Sequence, residues 1–103
     1  MAYNFNVDMF ENKLMELNNT FSYHEFAMCI FKSYDVKHFN TADFINTLLQ
    51  DKKTYPELAE YFEFASLYFL LLILKQQNLG QKEDYIKIKR EITNVWSKIC
   101  KSV

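Results

Sequence analysis

The scarcity of glycine and proline is the feature that most constrains the fold of this chain. Among 103 residues there is one glycine, Gly80, and one proline, Pro56. Tight β-turns depend on these residue types, because glycine reaches positive φ and proline fixes φ near −65°. A chain with so few turn residues is therefore predicted to be all-α. Glycine-rich phosphate loops and dinucleotide-binding sites are excluded for the same reason.

Capping residues and apolar spacing predict a compact bundle of four to five helices. The first helix is predicted over residues 7–18, with Asn6 as its N-cap. The next two helix starts share one pattern, in which a polar cap is followed three residues later by an acid, and a phenylalanine stands on each side. This pattern predicts a capping box with a hydrophobic staple at each start. The two segments are Phe21–Phe26, with Ser22 and Glu25, and Phe39–Phe44, with Asn40 and Asp43.

The longest helix is predicted to begin at Pro56 and to lie at the centre of the bundle. Residues 64–74 read FASLYFLLLIL and are apolar except for Ser66. This run is well short of the roughly 20 residues needed to cross a bilayer, so no membrane association is expected. A helix that is apolar on every side must be surrounded by protein. If four short helices cannot cover Leu70–Leu74, a second copy of the chain would cover that segment.

The last helix is predicted from Lys82 to Lys101. Tyr85, Ile88, Ile92, Val95 and Ile99 alternate steps of three and four, so they form one stripe, with Trp96 beside it. Gly80 suits the C′ position that ends the preceding helix. The short connection predicts an antiparallel C-terminal hairpin, and residues 1–103 are interpreted as a single helical domain.

Few residues are available for catalysis or metal binding. The candidates are His24, His38, Cys29 and Cys100, and neither C-x-x-C nor H-E-x-x-H occurs. Cys29 follows His24 by five residues, about 140° around a helix, so no contact between them is expected. Both cysteines lie in apolar contexts and are predicted to be buried free thiols. We therefore predict no enzymatic activity, no metal and no cofactor.

Charge is divided unevenly along the chain and suggests where a partner would bind. Residues 1–64 carry a net charge of −5, and residues 65–103 carry +4. Lys87, Arg90 and Lys98 make the last helix basic on the side away from its apolar stripe. Aromatic side chains dominate the energetics of many interfaces, so Tyr61 and Tyr68 join these three as predicted partner-binding residues.

These features favour a non-enzymatic protein-binding module that acts stoichiometrically. The alternative is a nucleic-acid-associated regulator that uses the basic last helix, although the chain has one arginine and a pI near 6.1. Residues with AT-rich codons (Phe, Ile, Asn, Lys and Tyr) total 44, which suggests a low-GC bacterium or its mobile elements. Immunity proteins, antitoxins and phage inhibitors of host defence share this size and composition. The N-terminal residues lack a signal-peptide pattern, so a cytoplasmic location is expected.

Overall fold

In the part of the chain that the structure describes, the fold consists of five α-helices and one short 3-10 turn. The computed structural model describes residues 3–17, 22–34, 40–76 and 82–102. The elements are α1 (Val7–Glu16), α2 (Tyr23–Lys32), α3 (Thr41–Thr54), the 3-10 turn Pro56–Leu58, α4 (Ala59–Gln76) and α5 (Lys82–Ser102). The all-α prediction is confirmed. Within the described ranges, β-type pairing is limited to an isolated antiparallel bridge between Phe5 and Tyr34.

The predicted helix starts are observed, with one difference in capping. Asn6 caps α1, and Ser22 and Glu25 form the complete capping box of α2. At the start of α3 the Asn40 side chain accepts from the Asp43 backbone N–H, as predicted. The return bond is replaced, because the Asn40 backbone N–H donates to the Tyr3 hydroxyl at 2.9 Å. The staple residues Phe21 and Phe39 lie outside the described residues.

Pro56 opens the 3-10 turn that leads into α4, rather than α4 itself. The tighter turn begins directly after Tyr55, which ends α3, and α4 then starts at Ala59. The prediction that this is the longest helix is wrong, since α4 has 18 residues and α5 has 21. The proposed cap Gly80 lies outside the described residues.

Helix α4 is the centre of the bundle, as predicted. It packs against α2, α3 and α5, and its buried residues are Phe62, Phe64, Ala65, Tyr68 and Leu71. A helix with three neighbours can bury apolar residues on several sides, which accounts for the near absence of polar residues in 64–74.

Aromatic rings hold the neighbouring helices to α4. Phe26 on α2 contacts Tyr61 and Phe64 of α4, with ring centroids 5.2 and 5.8 Å apart. Phe44 on α3 contacts Phe69 at 5.0 Å in an edge-to-face geometry. Both Phe26 and Phe44 are buried. These edge-to-face contacts place the positive ring edge on the negative face, the arrangement that aromatic pairs prefer.

Helices α4 and α5 form the predicted antiparallel hairpin. Phe64 near the start of α4 meets Trp96 near the end of α5, with ring centroids 5.3 Å apart. The predicted stripe faces the bundle, because Ile92, Val95 and Ile99 are buried. Tyr85, Ile88 and Trp96 are half-buried and pack against the core.

The segment before α1 is attached to the end of α2. The Asn6 backbone N–H donates to the Ser33 carbonyl at 2.8 Å, beside the Phe5–Tyr34 bridge. The Phe5 ring contacts Tyr34 at 5.2 Å and Phe62 of α4 at 4.9 Å. An extended segment thus contributes a large side chain to a core that is otherwise helical.

Candidate functional site

A cleft of about 440 Å³ lies where α2, α4 and α5 meet. The wall is mostly apolar, and Lys89 adds a positive charge to the lining. The lining residues are Tyr23 of α2, Leu71 of α4, and Lys89, Ile92, Thr93 and Trp96 of α5. Its size falls within the range of small-ligand and side-chain pockets, which are concave and largely apolar with a few polar groups. We call it the α5 cleft.

Aromatic contacts fix the walls of the α5 cleft. Trp96 packs on Phe64 and Phe26, with ring centroids 5.3 and 5.4 Å away. Tyr23 contacts the Trp96 ring at 6.4 Å and the Tyr68 ring at 5.7 Å, yet 43% of Tyr23 remains exposed. An exposed tyrosine on rigid aromatic neighbours can pack against a partner at low entropic cost, because few of its torsions remain free.

Lys89 places a positive charge at the rim of the α5 cleft. Lys89 Nζ lies 5.1 Å from the centroid of the Tyr85 ring, a cation–π geometry that holds the ammonium group beside the opening. Lys87 and Arg90 are exposed on the outer side of the same helix. Lys98 is also exposed and follows Lys87 by eleven residues, about three turns, so it lies on the same outer side.

The five predicted partner-binding residues do not form one surface. Lys87, Arg90 and Lys98 lie on the outer, exposed side of α5, whereas the two tyrosines of α4 face the interior. Tyr61 is half-buried between Phe10 and Phe26. Tyr68 is 6% exposed, so its ring offers little area to a partner. The positions of Tyr61 and Tyr68 in the sequence do not show whether their rings are exposed, because that depends on which neighbouring helices cover each side of α4.

A second cleft, of about 380 Å³ between α1 and α2, holds the histidine and cysteine that were candidates for chemistry. His24 and Cys29 both border it, although their spacing predicts different helix faces. His24 Nδ1 is hydrogen-bonded to the Tyr68 hydroxyl rather than to the thiol. Burial raises the pKa of the Cys29 thiol, which favours the neutral, weakly nucleophilic form. This arrangement does not activate Cys29.

The two cysteines are free and differ in exposure. Cys29 is buried as predicted, but the prediction of a buried Cys100 is wrong. Ile99 takes the inward direction at this turn of α5, and Cys100, one residue and about 100° further round, points outward. Among the described residues, no group of three or more His, Cys, Asp or Glu side chains could hold a metal ion. His38 lies outside them.

The chain has no match among protein-family models, curated proteins or solved structures. Among the described helices, none has the length and apolar character needed to cross a bilayer.

The α5 cleft contains residues that the sequence does not single out. In the sequence, Tyr23 is one of the two residues between Ser22 and Glu25 on which the capping box places no requirement. Leu71 is one of many leucines in α4. Trp96 is recognisable beside the apolar stripe, and Lys89 as part of a basic helix. The cleft itself depends on the angle at which α2 meets the α4–α5 hairpin, which leaves no periodic signal in the sequence.

Proposed function

We propose that this protein is a non-enzymatic binding module that acts stoichiometrically, occupying the surface of a protein partner and thereby blocking or stabilising it. The observation that carries the proposal is the α5 cleft, with its apolar walls formed by Leu71, Ile92 and Trp96 and with Tyr23 exposed at its edge. Tightly packed aromatic anchors at the centre of a pocket are typical of the residues that dominate protein interfaces.

The rim of the cleft favours a partner segment that is both apolar and acidic. Lys89 borders the opening, and Arg90, about 100° further round α5, is exposed. Carboxylates of the partner would approach these cations while one or two apolar side chains enter the cleft. Such complementarity raises the association rate and selects against basic partners.

The partner class and location are part of the same proposal. Small size and AT-rich coding favour an immunity protein, an antitoxin or a phage inhibitor of host defence, from a low-GC bacterium or its mobile elements. Two free cysteines, one of them exposed, are consistent with a reducing compartment, which supports a cytoplasmic location.

A nucleic-acid-associated regulator is the second candidate, because Lys87, Arg90 and Lys98 are exposed on one side of α5. Phosphate contacts release counterions, so binding would weaken steeply with salt. Replacing both Lys87 and Arg90 by Gln would then weaken binding to all sequences alike and reduce the salt slope. If a mobility-shift titration of nucleic acid with the protein at low salt shows no binding, this candidate function is ruled out.

The protein-binding proposal is tested with a substitution that fills the cleft. Thr93 lines the α5 cleft and is exposed, and its hydroxyl donates to the Lys89 carbonyl one turn earlier. Thr54 of α3 is a matched control, since it is also exposed and bonds to the Gln50 carbonyl in the same way. Thr93→Arg fills the cleft, whereas Thr54→Arg adds the same side chain elsewhere.

The measurement is capture from nuclease-treated lysate of cells that express the protein, followed by mass spectrometry. We expect wild type and Thr54→Arg to retain the same partner near one-to-one stoichiometry, and Thr93→Arg to lose it. Equal recovery by all three proteins would show that the α5 cleft is not the contact. Recovery of no protein by wild type would remove the proposal itself.

A further inference from the structure

The lining of the α5 cleft combines apolar walls with charge of one sign. Among the described lining residues, Lys89 is the cation and none is Asp or Glu. Leu71 and Ile92 in the wall are buried, and Trp96 is half-buried. A molecule that matches this lining has an apolar body and a negative group, since a positive group would be repelled by Lys89.

Lys89 has no acidic neighbour on its own side of α5. The residues three and four positions from it are Tyr85, Ile86, Ile92 and Thr93, and none of them is acidic. The Lys89 ammonium group lies 5.1 Å from the centroid of the Tyr85 ring. A cation–π contact restrains the ammonium group without neutralising it, so the cleft still attracts an anion.

The Thr93 hydroxyl cannot replace Lys89 as a donor to this anion. Its one proton is donated to the Lys89 backbone carbonyl at 3.0 Å, so the hydroxyl oxygen can only accept a further hydrogen bond. The lining therefore supplies one cationic donor. One ammonium group balances a single carboxylate, whereas a phosphate with two charges would be left half neutralised.

The rings in the wall favour an aromatic body over an aliphatic one. Tyr23 is 43% exposed, and its ring centroid lies 6.4 Å from that of Trp96. Trp96 packs on Phe26 and Phe64 at 5.4 and 5.3 Å, so its position is fixed before a ligand binds. A ligand ring can meet these rings edge to face, a geometry that an alkyl chain cannot provide.

The volume of the α5 cleft suits a small molecule. An apolar cavity of about 150 Å³ holds one benzene molecule. The cleft, at about 440 Å³, therefore has room for a ring and a short acidic chain. Lys89 is exposed, so a carboxylate beside it would keep part of its hydration while the ring enters the cleft.

We infer that the α5 cleft is a binding site for a small aromatic carboxylate, with the ring against Tyr23 and Trp96 and the carboxylate beside the Lys89 ammonium group. The inference goes beyond the proposed function, because the lining recognises the molecule whether or not a protein partner exists. A bound molecule would also exclude the side chains of a partner from the cleft. That consequence alone rests on the proposed function.

The experiment is a titration of the purified protein with 3-phenylpropionate, followed by tryptophan fluorescence. Trp96 is the single tryptophan of the chain, so its emission reports on the cleft. We expect a saturable change with a Kd of about 1 mM, which is reasonable for a ligand of this size. The uncharged analogue 3-phenylpropionamide should bind about threefold more weakly, because an exposed cation provides a modest attraction. The aliphatic analogue 3-cyclohexylpropionate should bind no more tightly than 3-phenylpropionate.

Variants locate the two ends of the ligand. Lys89→Gln should bind the acid and the amide equally. Lys87→Gln removes an exposed lysine of α5 that does not line the cleft, and it should keep the preference for the acid. Thr93→Phe places a ring in the cleft and should weaken binding of the acid at least about tenfold. Thr54→Phe is its control on α3, and circular dichroism checks that each variant is folded.

Several results would overturn the inference. One is a wild-type emission that changes no more than that of free N-acetyltryptophanamide, since this would be quenching without binding. Equal affinity of wild type for the acid and the amide, or a preference for the acid that persists in Lys89→Gln, would show that Lys89 does not hold the carboxylate. Unweakened binding by Thr93→Phe would place the ligand elsewhere, and tighter binding of the cyclohexyl acid would contradict the aromatic preference. Partner capture is measured separately, so either proposal can fail alone.

Discussion

The Tyr34 hydroxyl donates a hydrogen bond to Asp51 Oδ2 at 2.6 Å and joins the end of α2 to the last turns of α3. Tyr34 is buried, and desolvation raises its pKa, so the phenol remains the proton donor. Burial also raises the pKa of Asp51, and the hydrogen bond from Tyr34 opposes this shift. The pair connects residues 17 positions apart.

The raised pKa of Asp51 predicts a pH-dependent stability. A carboxyl whose folded pKa exceeds its unfolded value stabilises the fold fully below the unfolded pKa, and this contribution is lost as pH rises through the folded pKa. Asp51→Asn keeps an acceptor for Tyr34 and removes the titration, so it should lose less stability than wild type between pH 4 and pH 7. Urea unfolding at both pH values measures this difference.

Tyr34→Phe should act in the opposite direction. It removes the hydrogen bond that lowers the pKa of Asp51, so the loss of stability with rising pH should be steeper than in wild type. At a single pH, the missing bond should cost about 1 kcal/mol. Parallel pH profiles for wild type and both variants would contradict the assigned cause.

Phe44 should be among the most costly residues to truncate. Phe44 lies on α3, and its fully buried ring contacts Phe31 of α2 and Phe69 of α4. Phe44→Ala leaves a cavity and should lower the free energy of unfolding by about 3–5 kcal/mol, measured by urea denaturation. Leu49→Ala on the same helix is the control, and it should cost far less because 46% of Leu49 is exposed. Similar costs for the two variants would show that the core is misassigned.

The capping box of α2 provides a further stability prediction. Ser22 Oγ accepts from the Glu25 backbone N–H at 3.3 Å, and Glu25 Oε1 accepts from the Ser22 backbone N–H at 3.1 Å. Ser22→Ala should cost about 1 kcal/mol, because the first turn loses its acceptor. Ser22→Asp should retain most of that stability, since Asp is also a good N-cap. Thermal unfolding followed at 222 nm compares the variants, and equal loss for Ala and Asp would argue against a capping role.

The two thiols should react at very different rates. Cys100 is exposed and Cys29 is buried with a raised pKa, so a disulfide reagent such as DTNB should modify one thiol promptly in the native protein. The second thiol should react only after unfolding in guanidinium. Cys100→Ser should abolish the fast phase, and Cys29→Ser should leave it unchanged. A fast phase that persists in Cys100→Ser would mean that Cys29 is accessible.

Local chemistry explains which parts of the fold could be predicted from the sequence. The starts of α1, α2 and α3 were predictable because Asn6, Ser22 and Asn40 act on N–H groups within three residues. The Tyr3 hydroxyl that caps the Asn40 N–H comes from 37 residues away, and no local pattern encodes it. The burial of Tyr68 likewise depends on the placement of α2.

The candidate site was predictable only in part, for the same reason. The basic outer side of α5 follows from helical spacing, so Lys87, Arg90 and Lys98 are placed on the exposed side of α5 from the sequence alone. The α5 cleft requires Tyr23 and Trp96, 73 positions apart, to meet edge to face. Such a contact is set by helix crossing geometry rather than by residue period.

The attachment of Phe5 has a consequence for synthesis on the ribosome. Its ring rests on Tyr34 and on Phe62, so the site that Phe5 occupies is complete only after Phe62 has been synthesised. Helix α1 precedes α2 in the chain, yet the segment before it is joined to the rest through residues translated later. During synthesis Phe5 therefore docks only once α4 has begun to form, well after the segment that carries it has been made.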